Sequence, residues 1–554
     1  MIREFARHLE GVVAEVGGRI HPIAKRSKSR WRCAPVAARS LAIRYRVYAW
    51  DLSVRCAHLD ADHGFFNGTS VFVAVAGRER EPVSVDISRP PGTAFRDWRL
   101  ATTLAREPGT KSGGDWSFGR FHAGDYDELV DHPAQMGRFA VAGFDVGGCR
   151  HEIVVSAAPG SDLDRVARDL KPVCARQIAL FDPARRRAPM RRYLFLVMAS
   201  ADGYGGLEHR SSTALICGRD DLPYPGMVAP HDGYRTFLGL ASHEYFHAWN
   251  VKRIKPAVFD PYEWLQETHT DLLWIFEGFT SYYDDLMLRR AGLIDDKVYL
   301  TLLERTINRV AAGPGRLVQS AAESSFDAWT KYYRQDENSA NSIVSYYHKG
   351  SLVALCLDLT IRTRTRSRRS LDDVMRSMWR RWGRDFYGAR QTTRHGLAED
   401  GFADVVSEST GLDLRAEIAA WAYGTGELPL AETLRPFGVR LEPAPGSGGA
   451  AIGARVAARD GGLAITSADR NGAAARAGLS AGDLIVAIDG LRCTDQRMKT
   501  ALARRKPGTA LRVHAFRRDG LVETTVTLQA PQPETRLVLG ARSVARRGWL
   551  ESPG

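Results

Sequence analysis

The stretch SHEYFHAWN, Ser242–Asn250, sets two histidines four residues apart with a glutamate directly after the first. On a helix, side chains at i and i+4 project from one face, so His243 and His247 can both reach a single metal ion. Glu244 lies beside that face, placed to polarise a metal-bound water and not to bind the metal. The preceding RTFLGLA supplies apolar residues for the buried side of such a helix.

A catalytic zinc takes three protein ligands and leaves its fourth position to water, so a third ligand is needed. The strongest candidate is Glu277 in LLWIFEGFTSYYDDL, which sits among Trp274, Ile275, Phe276 and Phe279. A carboxylate in such apolar surroundings is costly unless it is paired or coordinated. Two further segments fit a peptide-cleaving site. GGLEHRSS puts Glu208 and His209 after the flexible Gly205–Gly206 pair, behind strand-like YLFLVMAS, where a sheet edge can hold an extended chain. SYYHKGSLVALCLDL opens a helix with Tyr346 and Tyr347, and a phenol there can donate a hydrogen bond to an oxyanion.

At 554 residues the chain is too long for one hydrophobic core and is expected to hold about three domains. An apolar fraction of 44% with 25% charged residues is that of an ordinary soluble protein, and no apolar run is long enough to span a bilayer. The net charge of +13 is spread along the chain, as on a basic solvated surface. Seven widely spaced cysteines without a CxxC pair read as reduced thiols; with no signal pattern in MIREFARHLEG, which has helical spacing, they point to the cytoplasm.

From Leu41 to about Val155 short period-two runs such as LAIRYRVYAW, TSVFVAVAG and HEIVVSAAP predict strands, whereas helical period dominates from Tyr234 to about Ala422. Between two helical patterns, IRTRTRSRRS packs five arginines into ten residues and reads as a solvated loop over 362–369. It lacks the interleaved aromatics of a nucleic-acid module, so no nucleic-acid partner is expected. LEPAPGSGGA at 441–450 reads as a flexible join, followed by a small unit with strands in ALRVHAF and ETTVTLQ.

Taken in order, YDELVDHP, YGGLEHRSS, HEYFHAWNVKRIKP, WIFEGFTSYYDDL, YYHKG and DRNGAAARAGLSAGDLIVAIDG resemble the glycyl aminopeptidases, over Tyr126 to Gly490. The resemblance implies a multidomain α+β protein. Its parts are a β-rich N-terminal domain (1–160), a mostly helical thermolysin-like zinc peptidase domain (161–434), a PDZ domain (435–532) and a C-terminal tail (533–554). It implies one zinc ion on His243, His247 and Glu277, with Glu244 as general base. Tyr347 is the implied hydrogen-bond donor to the transition state, with Tyr346 as second candidate. Glu208, flanked by Gly205, Gly206 and His209, matches the residue that captures the substrate's α-amine.

The implied activity is removal of small N-terminal residues such as Gly or Ala. A zinc endopeptidase, or a PDZ scaffold with an inactive peptidase domain, are the alternatives. The implied partners are peptide substrates and a chain end at the PDZ groove. Three departures stand out. The N-terminal domain is expected to be truncated, since the likeness starts inside it. The stretch KRIKPAVFDPYEWLQ is expected to form a surface loop. Ser281 stands where thermolysin has the aspartate that orients a zinc histidine.

Overall fold

The computed structural model describes residues 2–38, 40–110, 113–388, 396–444, 449–541 and 543–551. The helical spacing of the first residues yields only a turn at Phe5–His8, and Leu9–Val16 is a strand. It pairs with Arg19–His21 and Ala42–Val47, the first of several small antiparallel sheets that fill the N-terminal region.

The sheet that carries the site has five strands: β1 (Ala140–Val146), β2 (Cys149–Ser156), β3 (Arg192–Ser200), β4 (Tyr204–Glu208) and β5 (Ser212–Gly218), in the order β1-β2-β3-β5-β4. β2, β3 and β5 run parallel and are almost wholly buried, which is why they read as continuous apolar runs such as YLFLVMA. β1 and β2 share the period-two texture of the N-terminal strands, yet they are hydrogen-bonded into this sheet. A boundary at 160 therefore cuts through a sheet; pairing groups Ala140–Ser156 with the peptidase half.

Helix α1 (Leu163–Phe181) packs its apolar face on this sheet, and α2 (Asp232–Phe246) runs beside the edge strand β4. α2 is tied to the sheet by the Tyr245 hydroxyl, 2.8 Å from His151 Nε2. α3 (Gly278–Arg290) and α4 (Tyr346–Thr365) cross at two glycines: a Cβ on Gly278 would lie 2.6 Å from Gly350 Cα, and one on Gly350 2.7 Å from the Trp274 carbonyl. Only residues without side chains allow that backbone approach.

The first half of the expected arginine-rich loop is helix. Arg362 and Arg364 lie on α4, and Arg362 is buried with its Nε donating to both oxygens of Asp358 at 3.0 Å. The i,i+4 spacing makes that pair, so only the residues after Thr365 form the turn into α5 (Leu371–Met378). The expected surface loop after the histidines is also half wrong. Arg253, Ile254, Lys255, Pro256 and Phe259 are buried, whereas Ala257, Val258, Pro261 and 263–267 are exposed.

Part of LEPAPGSGGA is strand: β6 (Val439–Pro443) pairs with β12 (Thr535–Leu539), while 445–448 lie outside the described residues. Between them β7 (Ala454–Arg459), β8 (Gly462–Ala468), β9 (Leu484–Ile488), β10 (Ala510–Arg517) and β11 (Gly520–Thr527) form a sheet with its own apolar core, closed by α6 (Asp495–Ala503). The segment expected as a tail is not one. After β12, α7 (Val544–Leu550) buries Trp549 completely, its Nε1 donating to the Tyr282 hydroxyl at 2.9 Å. The apolar Trp-Leu pair at its end is what pulls it in.

Candidate active site

α2 delivers both histidines: His243 in its last turn and His247 at its C-cap. Nδ1 of His247 donates to the Asn250 carbonyl at 2.7 Å, and Nδ1 of His243 to Asp284 Oδ2 at 3.1 Å. A carbonyl can only accept, so the His247 proton sits on Nδ1 and its Nε2 carries a lone pair. Both Nε2 atoms then face each other 3.1 Å apart, and Glu277 Oε2 lies 3.4 and 3.1 Å from them.

Three acceptors this close, with that carboxylate oxygen buried and without a hydrogen bond, call for a cation between them. Ligands about 2.1 Å from a tetrahedral zinc would be about 3.4 Å apart, within about 0.3 Å of these separations. Among the described residues this is the one cluster of three or more such side chains compact enough to hold a metal. Burial alone would raise the Glu277 carboxyl, but the two imidazoles override it and hold it well below its usual range.

Glu277 is carried here by two devices. It is the residue before α3, and α3 is brought onto α4 by the Gly278–Gly350 contact. The Asn250 side-chain amide donates to the carbonyls of Ile275 and Phe276 and to the Thr280 hydroxyl, tying the end of the histidine motif to the Glu277 segment. Glu244 points at the edge strand. A Cβ on Gly206 would overlap its carboxylate, so the glycine leaves the space that this carboxylate fills. Burial pushes the Glu244 carboxyl up to about 7, a value suited to taking and returning a proton.

Two peptidase family models match the chain: the Peptidase M61 N-terminal domain at residues 1–138 and M61 glycyl aminopeptidase at 236–353. A PDZ domain model matches 450–528. The crystal structure of an aminopeptidase N family protein from Idiomarina loihiensis is 39% identical, with a TM-score of 0.92, over 99% of this chain and 93% of that chain. The chain belongs to the M61 glycyl aminopeptidase family. It is a metalloaminopeptidase, a hydrolase of peptide bonds, with a β-rich N-terminal domain, a helical peptidase domain and a PDZ domain. An M1 zinc metallopeptidase from Deinococcus radiodurans, solved with Tyr-Ser-Ala, matches at 13% identity and a TM-score of 0.46 over 76% of this chain and 86% of that chain, too low to bear on function. No curated protein matches the chain.

In this family member Tyr347 stands beside the two histidines and Glu277, its ring 6.2 Å from that of His243. Burial, and next the Glu277 carboxylate, push its phenol well above the usual value, so it stays a donor. Tyr346 stacks on it at 4.7 Å but is itself buried. Lys349 of the same motif donates to the Gly424 carbonyl at 3.1 Å, a structural anchor. Glu208 and Gly205 lie on the half-buried edge strand, and the field of Glu208 reaches Glu244 and His247. His209 turns away: its Nδ1 donates to Asp131 at 3.2 Å, within a buried knot that also holds Arg210 and Lys252.

Three contributors escape a sequence reading. Asp284 orients His243 one turn beyond Ser281, signalled only by the double aspartate in YYDDL. Asn250 closes the histidine motif. Tyr333, whose hydroxyl is 2.8 Å from that of Tyr347, comes from a segment with no motif.

Proposed function

We propose that the protein is a zinc-dependent aminopeptidase that holds one zinc ion on His243, His247 and Glu277 and removes small N-terminal residues such as glycine or alanine. The observation that carries this reading is the convergence of two imidazole lone pairs and one unpartnered carboxylate oxygen beside Glu244. Zinc in such a site supplies Lewis acidity, polarising a carbonyl and lowering the pKa of a water toward neutrality. Glu244 takes the proton of the attacking water and returns it to the departing amine, which its raised pKa favours. Tyr347 donates its hydroxyl proton to the developing oxyanion while Tyr333 fixes that hydroxyl.

Glu208 receives the free ammonium of the substrate, whose backbone extends along β4. That charge pair fixes the register and limits cleavage to the first peptide bond. The exposed outer side of β7 supports the capture of an extended chain end by the PDZ domain through strand addition.

The test is hydrolysis of glycyl and alanyl p-nitroanilides and of their N-acetylated forms. The free amines are cleaved, chelator abolishes the activity and added zinc restores it. Internal cleavage of acetylated peptides would instead mark an endopeptidase, and no turnover of the zinc-loaded protein would mark an inactive scaffold.

A further inference from the structure

The turn at Ser53–Cys56 in the N-terminal region reaches the active site. Val54 is buried in a core shared with Leu194, Leu196 and Met198 of β3, and this fixes the next residue. Arg55 lies with its guanidinium carbon 5.8 Å from the centre of the Tyr333 ring, the tyrosine that bonds Tyr347. Its Nε is buried and has no hydrogen-bond partner. Arg3 is close enough that the Arg55 guanidinium, second only to loss of solvent, depresses its pKa. Asp51 lies near enough to raise the Arg3 pKa, by less than burial and Arg55 lower it.

Two like charges held together repel, and Asp51 offsets this only in part, since the Arg3 pKa stays lowered, so an anion that joins them is favoured. Their position says which anion. The Glu208 carboxylate acts on Glu244 and His247, whereas Arg55 acts on Tyr333 at the tyrosine side of the site. A short peptide with its ammonium at Glu208 runs about 3.3 Å per residue when extended. A chain of two or three residues bound in this way would extend to the Tyr347–Tyr333 side of the site, where Arg55 stands.

We propose that Arg55, with Arg3 beside it, binds the C-terminal carboxylate of short peptide substrates and so makes the enzyme selective for free di- and tripeptides. This rests on the aminopeptidase reading above. The guanidinium donates charge-assisted hydrogen bonds to a carboxylate, and its Nε has no other partner. Arg55 is here a specificity-determining residue, because it touches the substrate end remote from the scissile bond.

The experiment compares kcat/KM for Gly-Ala-Ala as free acid and as C-terminal amide, in the zinc-loaded wild type and in Arg55→Gln, Arg55→Lys and Arg3→Gln. The wild type is expected to prefer the acid by about tenfold, equivalent to about 1.4 kcal/mol. The preference falls to near unity in Arg55→Gln, is largely kept in Arg55→Lys, is reduced in Arg3→Gln, and shrinks as salt is added. Because each ratio is taken within one variant, partial misfolding cancels. A wild-type ratio of unity, or the same ratio in Arg55→Gln, overturns the proposal while leaving the aminopeptidase intact. So does Arg55 dependence that appears only with a glutamate side chain in an amidated peptide. Failure of both peptides to be cleaved with zinc bound overturns the aminopeptidase reading itself, and this proposal with it.

Discussion

Glu244 and Asp284 act on the same helix end in different ways, and their substitutions separate chemistry from metal binding. In the proposed mechanism Glu244 carries a proton and binds no metal, so Glu244→Gln is expected to lower kcat by about 10²- to 10⁴-fold while zinc content, read by metal analysis, stays at the wild-type level. Asp284 holds His243 through Nδ1, so its removal frees the ring to rotate. Asp284→Ala is expected to weaken zinc binding about 10- to 100-fold, measured by competition with a chelator. Excess zinc should restore most of its kcat, since no reacting group is lost. His243, Glu244 and His247 are legible because local spacing alone puts them on one helical turn. Asp284 is not, because its distance from His243 is set by how α3 packs on α2.

At the scale of elements, α3, α4 and α5 are joined by a buried ionic knot. Arg290 Nη1 donates to both oxygens of Asp372 at 3.1 and 3.2 Å, and the Tyr283 hydroxyl donates to the same carboxylate at 2.8 Å. Arg362, paired with Asp358, lies 3.8 Å away. Burial raises the Asp372 carboxyl, but Arg290 and then Arg362 outweigh it and bring it down from 3.8 to about 2. A folded pKa below the unfolded one means that the stabilisation is present above about pH 4 and is lost as pH falls toward 2. Asp372→Asn leaves two buried guanidiniums short of a partner and is expected to cost about 3–5 kcal/mol in denaturant unfolding near neutral pH. Its stability should also fall less than that of the wild type between pH 4 and pH 2. The arginine run reads as a solvated loop in sequence because charge patterning cannot tell a paired buried arginine from a free one.

At the scale of the molecule, the C-terminal segment locks the PDZ domain to the peptidase. The chain leaves through β6, folds the PDZ domain, returns through β12 and ends with Trp549 under α3. The Arg290 and Arg362 guanidiniums also donate to the carbonyls of Trp549 and Gly548 at 3.3 and 2.8 Å. A second tie is Asn341, whose amide donates to the Ala468 carbonyl and whose oxygen accepts from the Arg470 amide, both at 2.9 Å. Trp549→Ala is expected to destabilise the peptidase domain by about 3–5 kcal/mol in a denaturant titration, although it lies far along the chain from the site. Among the described residues no helix is long and apolar enough to cross a membrane.

The sequence by itself determined the histidine pair, the glutamate beside it, the buried third carboxylate, the tyrosine motif and the order of the parts. Each of these is a local pattern, fixed by helical or strand period within a few residues. Only the tertiary structure decided that Asp284 orients His243, that Tyr333 supports Tyr347, that Arg55 arrives from the N-terminal region and that the C-terminal segment is core. Those relations join residues tens to hundreds of positions apart, and they depend on where two backbones touch, as at Gly278 and Gly350, which no local period records.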